Sequence, residues 1–169
     1  MRLGLVIWWM DGATVFYSYY VADKPAGYQF AGIGDFDSNG FPDVLWQDPQ
    51  TGEVIVWYTD GSDFSGSDSI AQVSPEWKLA GVGDLNRDGL PDLVWRNKST
   101  GDVVVWFMNG TVPISGEYIY TVPLEWTIGG AVISMGTDIS IWFGVTRKAA
   151  LRPFGIWIML LLSGVVGST

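Results

Sequence analysis

The chain has 169 residues, 48% of them apolar and 16% charged, with a net charge of −9 and neither Cys nor His. Disulfides, thiolate metal sites and His-dependent catalysis are therefore excluded, and an enzyme would have to work with carboxylates, Tyr or Lys alone. The acidic balance also excludes a nucleic-acid surface, which needs clustered Lys and Arg to displace phosphate counterions.

In chain order, residues 1–7 have the outline of a short signal peptide, but no small-residue cleavage site follows them. Trp8-Trp9-Met10-Asp11-Gly12 instead matches Trp57-Tyr58-Thr59-Asp60-Gly61 and Trp106-Phe107-Met108-Asn109-Gly110 at steps of 49 residues, so the start reads as a strand. Residues 28–61 align without gaps on 77–110. Each copy opens with a short strand, as in Trp77-Lys78-Leu79-Ala80, and passes through glycines into an acidic loop. A second strand follows (Leu93-Val94-Trp95-Arg96), then a Ser/Thr-Gly turn and a third strand, Asp102-Val103-Val104-Val105-Trp106-Phe107. An Asp-Gly or Asn-Gly pair closes it, a hairpin signal. The Ser/Gly-rich stretch 61–69 reads as variable, with a weaker fourth strand near Gln72 or Ile119.

Three clear strands and a fourth in each 49 residues, rich in Val, Trp and Tyr, predict an all-β fold of propeller blades. The expectation is an incomplete β-propeller of two to three four-stranded antiparallel blades over residues 1–131, with the repeated tryptophans packing between blades as anchors. Residues 132–169 are expected to form an irregular or helical, non-native apolar tail.

The acidic loop carries the chemistry. Oxygen donors at loop positions 1, 3, 5 and 9, a Gly at 6 and the backbone carbonyl at 7 are what Ca²⁺ needs from a tight turn. The first loop supplies Asp35, Asp37, Asn39, the carbonyl of Phe41, and Asp43. The second supplies Asp84, Asn86, Asp88, the carbonyl of Leu90, and Asp92. Hard oxygen donors without His or Cys favour Ca²⁺, and after it Mg²⁺, over transition metals, giving two expected calcium sites. An EF-hand is ruled out, because its bidentate Glu at position 12 is here Trp46 or Trp95 and no helices flank the loops.

Gly34-Asp35-Phe36-Asp37-Ser38-Asn39-Gly40-Phe41-Pro42-Asp43 and Gly83-Asp84-Leu85-Asn86-Arg87-Asp88-Gly89-Leu90-Pro91-Asp92 resemble the FG-GAP, or VCBS, repeats of integrin α-subunit-type propellers. The resemblance covers roughly residues 2–131. It implies four-stranded blades with Ca²⁺ between their first two strands, and secreted or cell-surface proteins that bind other proteins or glycans. It transfers no catalytic residue, so no enzyme is expected. A glycan-binding, lectin-like propeller and a non-functional gene fragment are the competing readings. No membrane partner is expected, while exposed blade faces would favour self-association.

The third unit begins in register, with Trp126-Thr127-Ile128-Gly129-Gly130 matching Trp77-Lys78-Leu79-Ala80-Gly81, but no acidic loop starts at position 133. Acids nearly vanish after Glu125, and an apolar run over 154–166 comes next that is too short for a transmembrane helix of about 20 residues. The genetic code suggests a cause. With permitted codons and one preceding G, residues 133–146 read one base earlier as Asp-Phe-Asn-Gly-Asp-Gly-Tyr-Leu-Asp-Leu-Val-Trp-Arg-Asn, a third loop and strand in the expected register. A frameshift near residue 131 is thus the expectation, and a divergent native tail the alternative. Sequencing the encoding DNA decides between them: a frame displaced by one base should restore the loop, and its absence would end the idea.

Overall fold

The computed structural model describes residues 4–125, 139–144 and 157–162. They form two compact units, residues 1–75 and 76–169. In the first unit, β1 (Gly4–Asp11) and β2 (Thr14–Asp23) form an antiparallel hairpin. They are followed by β3 (Gln29–Gly34), β4 (Asp43–Gln47), β5 (Glu53–Thr59) and β6 (Phe64–Gln72), a four-stranded antiparallel sheet whose strands lie side by side in sequence order. The second unit repeats that sheet as β7 (Trp77–Gly83), β8 (Asp92–Asn97), β9 (Asp102–Asn109) and β10 (Val112–Thr121). Corresponding strands start one sequence period apart: Gly4, Glu53 and Asp102 open β1, β5 and β9 at steps of 49. The β1–β2 hairpin is therefore the counterpart of β5–β6, the third and fourth strands of the repeated unit.

The second strand of each sheet is its buried spine. All of β4 is buried, as are Asp92–Trp95 of β8. A strand covered on both faces needs a continuous apolar run rather than alternation, and Val44-Leu45-Trp46 and Leu93-Val94-Trp95 supply it. On one face of the second sheet Val94, Val103 and Val105 pack with Leu85 and Val122. Trp95 meets Trp106 with ring centroids 5.0 Å apart. The first sheet repeats the pair, with Trp46 and Trp57 at 5.4 Å and Phe30 edge-on to Trp46 at 6.3 Å. Each fully buried apolar side chain of these sheets, such as Leu45, Val54, Leu93 or Val94, contributes about 1.5–3 kcal/mol from area removed from water.

The fourth strand departs from the expected outline. The Ser/Gly-rich stretch read as variable is largely strand β6, paired to β5 from Glu53↔Gln72 to Thr59↔Phe64. An outer strand with most of its side chains in solvent needs no apolar pattern, and this one carries none. In the tail, β11 (Ile139–Gly144) and β12 (Trp157–Leu162) pair antiparallel, so its described parts are extended where an irregular or helical course was expected. These segments are rich in Ile, Leu and aromatic residues, which favour strands. Trp126, residues 133–138 of the expected third loop and the boundary at residue 131 lie outside the described residues. No helix among the described residues is long and apolar enough to cross a membrane.

Each sheet is clasped where its second strand turns into its third. Gly52 and Gly101 sit in these turns at φ 77° and 83°. Their carbonyls accept the N–H of Val73 at 3.0 Å and Val122 at 2.8 Å, tying down the end of the fourth strand. A Cβ on Gly101 would lie 2.0 Å from the carbonyl oxygen of Val122, whereas one on Gly89, also at positive φ (87°), would meet nothing within 4 Å. Gly89→Ala should thus cost about 1–2 kcal/mol of left-handed strain, and Gly101→Ala more than about 3 kcal/mol in calcium-free denaturant melts.

Candidate metal centre

The acidic loops join the first and second strands of each sheet, running from Gly34 to Asp43 and from Gly83 to Asp92. Their path is set by self-complementary hydrogen bonds. In the first loop, Asp35 accepts the N–H of Asn39 at 3.1 Å and of Gly40 at 2.9 Å. Asp37 accepts the same Asn39 N–H at 3.1 Å, and Asn39 Oδ1 accepts from Phe41 N–H at 2.7 Å. The second loop repeats these bonds: Asp84 accepts from Asp88 (3.1 Å) and Gly89 (2.9 Å), Asn86 from Asp88 (2.9 Å), and Asp88 from Leu90 (2.8 Å). The backbone turns at matching places, with Ser38 and Arg87 at φ 59° and 67°, and Gly40 and Gly89 both at 87°. At the third and fifth positions the first loop has Asp37 and Asn39 and the second Asn86 and Asp88, so the acid and the amide are interchanged.

The ninth loop residue differs from the rest. Asp43 and Asp92 are fully buried. Asp43 Oδ2 accepts from Phe36 N–H at 2.8 Å and its Oδ1 from Thr59 N–H at 3.0 Å. Asp92 does the same with Leu85 at 2.8 Å and Met108 at 2.9 Å, and takes a further 3.3 Å bond from Asn86 N–H. One carboxylate thereby joins the start of the loop to the end of the third strand. Burial pushes the pKa of both acids up, backbone N–H donors pull it back, and the nearby charges of Asp37 and Asp88 push it further up.

Carboxylate oxygens of Asp35, Asp37 and Asp43 lie within 4.8 Å of one another. Three acids at that separation repel unless a cation joins them, and all the donors are hard oxygens, so the residues present fit a calcium-type ion. Each oxygen of Asp43 has a second lone pair besides the one its backbone donor uses. Asn39 is partly committed elsewhere, since its Nδ2 donates to Thr59 O at 2.8 Å and to Asp37 Oδ2 at 3.0 Å, leaving Oδ1 as its acceptor. Phe41 contributes its ring to packing, edge-on to Trp9 at 6.3 Å, and Leu90 is half-buried in the matching place.

Residues 35–95, from the first acid of the first loop to Trp95 in β8, match the family model of an FG-GAP-like repeat. That stretch is of the FG-GAP repeat type. The match spans both loops, whose backbone bonds to the first, fifth and ninth residues correspond. No curated protein and no solved structure matches the chain significantly.

One polar group outside the FG-GAP loops escapes a sequence reading because it does not repeat. Tyr28 donates to Glu53 Oε2 at 2.6 Å, and Lys24 Nζ donates to Tyr28 O at 2.6 Å. The bond to Glu53 is the main cause that pushes the Tyr28 pKa up to about 12, so the phenol keeps its proton at neutral pH. The trio ties β3 to β5 and to the chain that leads in from β2, and offers neither a free base nor a nucleophile.

The ninth acid should be the structural member of each loop. In Asp43→Asn or Asp92→Asn, an amide N–H₂ must face one of two buried backbone donors. Each variant should lose about 1–3 kcal/mol even without calcium, by urea melts. Asp37→Asn, which copies the natural Asn86, should change calcium-free stability by less than about 0.5 kcal/mol.

Proposed function

We propose that this chain is a calcium-stabilised module of a β-propeller-type repeat protein, working outside the cell or at its surface as a scaffold for binding protein or glycan partners. The observation that supports it most is the pair of FG-GAP loops with matching hydrogen bonds, one of which holds Asp35, Asp37 and Asp43 oxygens within 4.8 Å. Asp35, Asp37, Asn39 and Asp43, with the carbonyl of Phe41, would hold one ion. Asp84, Asn86, Asp88 and Asp92, with the carbonyl of Leu90, would hold the second. A bound Ca²⁺ would supply neutralisation and rigidity rather than chemistry. It would offset the repulsion among acids that the loop backbone already gathers, and fix the exposed residues 37–40 and 86–89.

The residues outside the loops fit a scaffold. The described polar clusters hold strands together, as Tyr28 does with Glu53, and as Asp102 does by accepting from Thr100 at 2.5 Å and from Thr121. Extracellular placement rests on the setting in which FG-GAP repeats occur, and adhesion or recognition rests on that placement.

Calcium dependence is measurable directly. At a hundredfold excess over Kd, each site should add about 2.7 kcal/mol, so the melting temperature should rise by several degrees over that in EDTA. The shift should shrink on acidification. Asp43 and Asp92 have folded-state pKa values raised above the usual carboxylate range, so protons displace calcium from them at a higher pH than from ordinary acids. In calcium-free buffer the sign reverses. The contribution of these two acids to stability is present below their unfolded pKa and is lost as pH rises through the raised folded value. Equal melting temperatures in calcium and EDTA at neutral pH would contradict the proposal.

A further inference from the structure

Among the described residues β1 pairs only with β2, which leaves its other edge open. The two complete sheets show what that edge is built to take. β5, the counterpart of β1, is covered by β4 with Val44↔Trp57, Leu45↔Val56 and Trp46↔Ile55 as partners. β9 is covered by β8 in the same register, Leu93↔Trp106, Val94↔Val105 and Trp95↔Val104. Moved back by the 49-residue period, these pairings fall on Trp8, Ile7 and Val6. The covering strand in both cases reads Asp, two aliphatics, Trp.

Each feature of that strand has a waiting counterpart on β1. The covering tryptophan packs at an angle against the tryptophan of the third strand, at 5.4 Å in one sheet and 5.0 Å in the other. The matching residue on β1 is Trp8, 62% exposed, flanked by the exposed Val6 and Met10. The covering aspartate accepts the N–H of Thr59 or Met108, and the matching residue on β1 is Met10. An open strand edge beside exposed Trp and aliphatic side chains is a template for strand addition.

We propose that β1 is the acceptor edge for a strand of sequence type Asp-aliphatic-aliphatic-Trp, supplied by another FG-GAP-type repeat segment. This strand pairs antiparallel with β1, packs its Trp edge-on against Trp8 and closes a sheet of the same kind as β3–β6. The β4 and β8 strands of a second copy already have partners on both sides, so an identical folded chain cannot donate either of them. The inference rests on the repeat correspondence and is independent of calcium.

The test uses the full chain and a fluorescein-labelled peptide of residues 90–97, read by anisotropy. Saturable binding is expected, weakened at least about tenfold by Trp95→Ala in the peptide or Trp8→Ala in the chain. It should vanish with a Leu93→Pro, Val94→Pro peptide, which cannot present strand N–H groups. Absence of saturable binding, or equal binding of the proline peptide, overturns the proposal. So does a chain dimer that Trp8→Ala disperses and the peptide does not, since a second copy would then own the edge. The peptide variants keep the test decisive should Trp8→Ala fail to fold.

Discussion

A single buried carboxylate organises each repeat. Asp43 and Asp92 sit where the loop becomes the second strand, yet their oxygens are taken by N–H groups at the loop's start and at the end of the third strand. The bond across the loop fixes its width, and the bond across the sheet sets the loop over the end of the third strand. Burying an acid is unfavourable unless donors meet it, and here the sheet itself supplies them. The loop's other acids converge above this buried anchor.

This arrangement explains why the loop and sheet repeat as one unit. The chain gathers negative charge at one end of a strand whose next three residues are apolar and buried. The Trp46–Trp57 and Trp95–Trp106 pairs hold the strands farther along. Polar and apolar anchoring thus act on the same three strands from different places. The fourth strand is fastened differently, through ladder bonds to the third and the clasp to Gly52 or Gly101.

Much of this is legible in the sequence, and the reasons are physical. The loops, β4, β5 and their counterparts show themselves because burial on both faces and a tight turn restrict the choice of residue, and the restriction recurs every 49 positions. β6 is not legible, because an outer strand in solvent imposes no pattern. The double role of Asp43 is hidden for another reason. Its spacing marks it as an oxygen donor, but its bond to Thr59, 16 residues away, exists only once the hairpin forms. The contact of Lys24, Tyr28 and Glu53 leaves no trace at all, since Tyr28 corresponds to Trp77 and no period points to it.

The strand order carries a last consequence. In both four-stranded sheets every strand pairs with its sequence neighbour, and no pairing reaches past the adjacent hairpin. Such a chain has low contact order, so loop-closure entropy is small and each sheet can condense within its own stretch of sequence. During synthesis a sheet can be completed soon after its fourth strand emerges, before the next loop is made. Damage therefore stays local: a reading-frame error after the second sheet would spoil only the residues downstream of it and leave the hydrogen-bonded ladders already formed upstream intact.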